Sequence, residues 1–456
     1  MHSRVRQGGG AASRGTAWWP WVLPAIWVAA VVAATVWTPY RAGPPIRDDG
    51  IGYHVWSYAL WSGDWSFAGS ERVPDEACAL RPSAAFADRQ VNRYPMGVGL
   101  VRLPAVVFLI GDGSLRTFTA AEHTVVLACG AAALLLTVGL MWRTLRAAGV
   151  GWWPAELAVT CGLFGTGLFH YGTHDGSYSH VFSAAGVAWL VWLWCRLWRG
   201  GRSPSAAVSL LVAAVLLLIR NTNVFLLAAA GLAVLCTSAP WRARIKHAAV
   251  LAIGGVAGAS VQVAYNHYAT GVWTLSSYEA GFLWHRPMAH AVLWSAERGL
   301  FTYYPALAVM VLAGLVERRT RRWTLGYIAL MAALATLYGF WAQWPLGGGF
   351  GHRGFVELVP GGVVLFGLAW REASARRRVA YGVLGGVSTL MTLQLMAGYW
   401  RGSFPYAGAT WRQIGRHVGP VSGGSWWVYG GVLAAAVLLA VGWYAAAADR
   451  RGPAAA

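Results

Sequence analysis

At 456 residues the chain is long enough for two or three soluble domains, yet 57% of it is hydrophobic, only 12% is charged and 28 residues are tryptophan. Apolar stretches of the roughly 17–25 residues needed to cross a bilayer recur along it, which excludes a soluble globular protein. The formal charge of +19 falls in short clusters between those stretches, the pattern of orientation signals and lipid-headgroup contacts. No nucleic-acid-binding module accompanies it, so nucleic acid is excluded as a partner.

The expected fold is all-α, a polytopic transmembrane helical bundle. Twelve spans are placed near 18–38, 121–142, 153–171, 180–198, 205–219, 223–238, 247–265, 301–316, 323–341, 353–370, 379–397 and 426–446. The first, running from Trp18 to Trp37 behind Arg4, Arg6 and Arg14, is longer than a signal-peptide core and reads as an uncleaved span. Residues 1–447 form one transmembrane domain and 448–456 a short tail. Segment 96–110 is apolar but short and carries Arg102 and Pro104, so a horizontal or re-entrant helix is expected there. Of the five cysteines only Cys78 falls in a loop placed outside. None has CxxC spacing, which argues against a disulfide or a structural zinc.

The long loop 39–120 opens on Arg47-Asp48-Asp49-Gly50, followed by Tyr53, Trp56, Tyr58, Trp61 and Trp65, and it closes on Asn92-Arg93-Tyr94-Pro95. Adjacent carboxylates in a dry site are how a base for neutral pH is made. The plain alternative is that one aspartate caps a short amphipathic helix over 50–62, with its aromatics forming an interfacial belt.

The second polar turn, Tyr171-Gly172-Thr173-His174-Asp175-Gly176-Ser177-Tyr178-Ser179-His180, sits between the third and fourth spans. His174, Asp175 and His180 suit binding of an acceptor or a headgroup. With an aspartate of the first loop they also offer ligands to a divalent ion, although no ligand-spacing rule is met. The reading therefore carries no metal and no cofactor.

Three arginines at membrane level require partners or a function. Arg220 opens Arg-Asn-Thr-Asn, Arg298 lies in Glu297-Arg298-Gly299-Leu300-Phe301, and Arg353 follows Gly347-Gly348-Gly349 and His352. A glycine run lets backbone approach a ligand, and His352 with Arg353 would then hold a phosphate oxygen. The plain alternative for Arg353 is an ion pair with Glu357 one helical turn on.

Basic clusters at 143–146, 196–202, 242–246, 318–322, 371–378 and 450–451 fall in short loops or tails. Both termini are therefore expected on the cytoplasmic side, with the 39–120 loop outside. Most acidic residues lie on the outer side, which topology does not explain and which assigns the chemistry to that face. There is no internal repeat of the kind many transporters show.

With these positions in place the chain resembles the GT-C superfamily of integral-membrane glycosyltransferases, nearest to the bacterial polyprenyl-phosphate-sugar-dependent enzymes related to protein mannosyltransferases and aminoarabinose transferases. The resemblance rests on Asp48-Asp49 after span one, Asn92-Arg93-Tyr94-Pro95, Arg220-Asn221-Thr222-Asn223, Arg298-Gly299-Leu300-Phe301 with Tyr304-Pro305, and Gly351-His352-Arg353-Gly354 with Pro360. It implies a bacterial inner-membrane enzyme whose donor is a polyprenyl-phosphate-linked sugar. The acceptor would be a lipid or cell-envelope glycan, and Asp48 or Asp49 the catalytic base on the outer face. The chain departs from those relatives in having aspartate rather than glutamate second in the acidic pair. The rivals are a transporter or flippase of lipid-linked saccharide and a polysaccharide polymerase or ligase.

Overall fold

The computed structural model describes residues 21–36, 43–73, 79–200, 204–278, 280–405 and 407–418. Cys78, both termini, the tail and the expected span at 426–446 lie outside the described residues, as do the ends of the first span.

The first third holds α1 (Val22–Val36), α2 (Asp49–Ser62), a small antiparallel ribbon of β1 (Leu80–Pro82) and β2 (Gln90–Asn92), and α3 (Gly97–Val106). The bundle continues with α4 (Ala120–Ala147), α5 (Trp152–Phe164), α6 (Leu168–Thr173), α7 (His180–Trp198), α8 (Ala206–Ile219), α9 (Asn223–Leu235) and α10 (Trp241–Thr270). After a long connection come α11 (Ala289–Trp294), α12 (Leu300–Tyr303), α13 (Pro305–Val316), α14 (Arg318–Phe340), a 3-10 turn Arg353–Leu358 running into α15 (Val359–Glu372), α16 (Ala375–Trp400) and α17 (Trp411–Val418).

Among the described residues six helices are long and apolar enough to cross a membrane: α4, α7, α10, α14, α16, and α15 with its leading turn. Five of the other expected spans coincide with shorter helices (α1, α5, α8, α9, α13). At a 1.5 Å rise per residue, α8 and α9 each reach only about 20 Å, less than a hydrocarbon core of about 30 Å. They break at Arg220-Asn221-Thr222, where a polar cavity sinks into the bundle. In the 96–110 segment, where a horizontal or re-entrant helix is expected, α3 has ten residues, about 15 Å of helix.

Small residues let α8 and α10 pack backbone to backbone. A Cβ on Gly254 of α10 would stand 2.4 Å from the Leu210 carbonyl oxygen, and one on Gly258 would stand 2.2 Å from that of Ala214. Backbone fills the space, so there is nothing flexible to move aside. Gly258→Leu should push α8 from α10 and destabilise the chain by about 1–3 kcal/mol, read as a lower midpoint in a detergent thermal-shift assay. Gly231→Leu, at an open position, is the matched control.

The aromatic helix α2 does not present its rings as an exposed belt. Tyr53, Trp56 and Tyr58 of α2 are buried, and only Trp61 stands half exposed. Trp56 packs edge-on to Phe67 and Tyr265 and donates its indole N–H to the Tyr94 carbonyl (2.7 Å). On the other side His54 and Tyr58 both reach Oε1 of Glu122, whose Oε2 closes a capping box with Thr119 at the start of α4. The helix is a wedge between the bundle and the rest of the loop, its rings buried on both sides.

At the opposite end of the bundle the basic clusters interlock. Arg371 donates to the Ala148 carbonyl (2.5 Å), Arg377 pairs with Glu317 (2.8 Å), and Arg319 pairs with Glu372 (3.3 Å). The polar loops and the arginine-rich turns therefore occupy opposite ends of one bundle.

Candidate active site

A cavity of about 590 Å³ lies where α2 and the 92–95 segment meet the ends of α7, α8 and α14 and the 3-10 turn. That is an ordinary size for a small-molecule site. Asp48, Asp49, Tyr94, His180, Arg220 and Arg353 all line it. Six of the ten singled-out residues thus converge from five separate chain segments.

Asp48 has φ 45° and ψ −127°, a left-handed conformation, and the Gly50 N–H closes a turn on the Arg47 carbonyl (2.8 Å). These angles suit the first central position of a type II′ turn, where glycine is the usual residue. An aspartate held there is strained by about 1–3 kcal/mol, a cost met most often at functional sites. The side chain makes no cap hydrogen bond to α2, so capping is not what holds it. It is 56% exposed and accepts a hydrogen bond from the Tyr178 hydroxyl at Oδ2 (3.0 Å).

Asp49 is placed differently. Its Oδ2 pairs with Arg353 (2.8 Å) and its Oδ1 accepts from the Tyr94 hydroxyl (2.8 Å). Arg93 in turn donates to Tyr94 (3.1 Å), which fixes the ring. Gly52 makes room for it: a Cβ there would stand 2.1 Å from the Tyr94 ring. Arg353 therefore pairs with Asp49 across the fold, not with Glu357 along its own turn.

Glu357 serves another pair. Its Oε1 pairs with Arg220 (3.2 Å) and lies 3.0 Å from Nδ1 of His180. The same Arg220 nitrogen lies 2.7 Å from His180 Nδ1 and 3.2 Å from Nε2, so cation, imidazole and carboxylate form one cluster. Two arginine–carboxylate pairs, Arg353–Asp49 and Arg220–Glu357, thus set cationic heads along the cavity.

The remaining four residues do not face it. Asp175 is buried one layer below, its Oδ1 on Arg47 (2.7 Å) and its Oδ2 on His170 Nε2 (2.9 Å). Trp400 donates to His170 Nδ1 (2.8 Å), so Nε2 carries the proton given to Asp175. Burial alone would raise the Asp175 carboxyl, but His170 and Arg47 together hold it well below the usual carboxylate range. Through Arg47 it anchors the residue that precedes Asp48. His174 is buried in a stack with His170 and Trp400. His352 is fully buried, donating Nε2–H to the Trp344 carbonyl (3.0 Å), and burial pushes its pKa down to about 3. A neutral ring in that position adds no positive charge for a phosphate. Arg298 is buried and turned away, donating to the carbonyls of Glu297 (2.8 Å) and Gly347 (3.4 Å). It braces the glycine run.

The divalent-ion arrangement is not formed. Asp175 is engaged by Arg47 and His170 while His180 turns to Glu357, and among the described residues no group of three His, Cys, Asp or Glu side chains is arranged to hold a metal ion.

Beyond Tyr94, sequence reading missed the aromatic wall of the cavity. Tyr94 meets Tyr278 edge-on (5.8 Å), Tyr278 meets Trp341 (6.0 Å), and Trp341 meets Phe282 (5.1 Å). A bridge between Phe282 and Trp341 ties the two loops together. Each ring looks like interface decoration by itself; only the pairing of residues 281–283 with 340–342 brings them to the cavity.

No protein-family model matches the chain, and no curated protein sequence matches it. Among solved structures, the chain is similar to ArnT from Cupriavidus metallidurans in its apo state, at 16% identity and a TM-score of 0.46 over 82% of this chain and 64% of that one. It is also similar to the same protein bound to undecaprenyl phosphate, at 11% identity and a TM-score of 0.45 over 87% and 74%. A third likeness is to the archaeal oligosaccharyltransferase AglB from Archaeoglobus fulgidus in complex with an inhibitory peptide and a dolichol-phosphate, at 11% identity and a TM-score of 0.46 over 87% and 57%. The chain spans less than two thirds of the length of apo ArnT and of AglB.

Proposed function

We propose that the chain is a membrane glycosyltransferase that moves a sugar, hexosyl or pentosyl, from a polyprenyl-phosphate-linked donor to an acceptor hydroxyl at the Asp48 end of the bundle. The observation that carries this reading is one cavity lined by a half-exposed carboxylate, Asp48, and by two partly exposed arginines, each held by a carboxylate. Asp48 is the general base. Its Oδ2 is steadied by Tyr178, while Oδ1 has no hydrogen-bond donor among the described residues.

The acceptor oxygen attacks the anomeric carbon from the face opposite the phosphate, and Asp48 takes its proton. The bond between that carbon and the phosphate oxygen breaks, its electron pair leaves with the prenyl phosphate, and the configuration inverts. Arg353 and Arg220 stabilise the charge that develops on the phosphate. A prenyl phosphate leaves as a stable anion, so charge-assisted hydrogen bonds from the two guanidinium groups suffice and no protonation is needed. Asp49 keeps Arg353 in place rather than acting as the base.

The setting we infer is the inner membrane of a bacterium, with both termini cytoplasmic and the cavity extracytoplasmic. In cells expressing Ser70→Cys or Arg319→Cys, with Cys78 and Cys236 replaced by serine, an impermeant maleimide should label position 70 and spare position 319. Labelling of 319 alone would reverse the orientation. The reaction itself is tested by incubating membranes with a panel of radiolabelled polyprenyl-phosphate sugars. Transfer from at least one of them to an extractable acceptor is expected, and no transfer from any would reject the reading.

A further inference from the structure

A second cavity, of about 420 Å³, opens in the half of the bundle remote from Asp48. Helices α7 and α15 make its floor, and α9 and α14 its walls. Along α14 it extends from Leu330 to Arg322, which lie eight and sixteen residues from Tyr338 at the first cavity. At 1.5 Å per residue this is about 12 and 24 Å away, so the groove runs toward the opposite membrane surface. Its rim is exposed, with Leu232 62% exposed and Cys236 exposed.

The groove is apolar along its length and cationic at its far end. Arg322 lies over the Trp323 ring (4.7 Å) and makes no ion pair among the described residues, whereas the neighbouring Arg319 is paired with Glu372. Trp323 meets Trp194 edge-on (5.0 Å), and Trp194 stacks on Trp198 (5.3 Å). On the α9 side Arg244 donates to the Leu235 carbonyl (2.8 Å), beside the rim residue Cys236. Indoles and unpaired arginine at the end of a greasy slot match a lipid in two parts, a chain for the slot and a phosphate for the cation.

We propose that this groove binds an anionic phospholipid of the leaflet opposite the Asp48 cavity, one acyl chain lying between α9 and α14 and the phosphate resting on Arg322. The site is separate from that of the proposed donor, because seven residues of α14, about 10 Å, separate Leu330 from Leu337 at the first cavity. It stands whether or not the transferase reading does.

The test uses the purified full-length chain in detergent, with N-ethylmaleimide alkylation of Cys236 followed by peptide mass spectrometry. Phosphatidylglycerol should slow the alkylation by about fivefold, and phosphatidylcholine at the same concentration should not. Arg322→Gln should remove the protection, and Ala233→Phe, which fills the groove while leaving the arginine, should abolish phosphatidylglycerol adducts in native mass spectra. Alkylation of the half-buried Cys129 at the wild-type rate reports that each variant is folded. Equal protection by the two phospholipids would overturn the proposal, as would protection that survives both substitutions. Protection by undecaprenyl phosphate and not by phosphatidylglycerol would also overturn it, assigning the groove to a prenyl tail.

Discussion

Asp48→Asn should lower turnover by about 10²–10⁴-fold, the contribution of a positioned carboxylate base, with the protein folded and donor affinity close to wild type. The substitution is well suited to the position. Asparagine tolerates positive φ better than most residues, so the turn at φ 45° survives. The amide oxygen still accepts the Tyr178 hydroxyl seen at 3.0 Å. Only the basicity is lost. Asp48→Gly is the companion: it relieves the backbone strain, so the melting temperature should hold or rise while activity is lost. An inactive variant that is more stable cannot be dismissed as misfolded. The measurements are single-turnover transfer with a labelled donor and a thermal melt in the same detergent. Wild-type turnover in Asp48→Asn would remove the base from this residue, and loss confined to Asp49→Asn would move it one position along.

Arg353→Ala should reduce kcat/KM for the donor by about 10²–10³-fold, as expected for a preorganised charge aimed at a developing phosphate anion. Two effects combine. The cation no longer meets the leaving group, and Asp49, 17% exposed and paired at 2.8 Å, loses its partner. Removing one partner of a pair that is mostly withdrawn from water leaves the other charge uncompensated, so folding must be read separately. Asp49→Asn separates the two, since Arg353 keeps its charge but loses the carboxylate that aims it. Donor KM should rise less in Asp49→Asn than in Arg353→Ala. Equal donor kinetics in Arg353→Ala and wild type would show that the phosphate lies elsewhere in the cavity.

Hydropathy alone located most of the bundle. An apolar run long enough for a membrane has no stable alternative to a helix there, because every backbone polar group must be satisfied within the segment. For the same reason the short apolar stretch around Arg102 and Pro104 was readable as non-spanning, and it forms a ten-residue helix. The acidic pair was readable because Asp48 and Asp49 are adjacent in the chain and sit beside a glycine. Arg220 and Arg353 were readable because a cation at membrane level must be paired or used.

What the chain order cannot encode is which of several possible partners a side chain meets. Glu357 stands one turn from Arg353, and local helix rules join them. In the folded protein Asp49 takes Arg353, and Glu357 takes Arg220 and His180. The aspartate arrives on a wedge-shaped helix from another part of the chain, and local spacing says nothing about that. Burial is decided in the same way. His352 and Arg353 are neighbours in one motif, yet one is sealed against the Trp344 carbonyl and the other lines the cavity. The sequence by itself determined that this is a helical membrane protein with its polar chemistry gathered in the loops at one end, because transfer free energy acts on each segment separately. Tertiary structure alone decided that Asp48 faces the cavity while Asp49 holds an arginine, because pairing and exposure depend on contacts between segments that the chain keeps far apart.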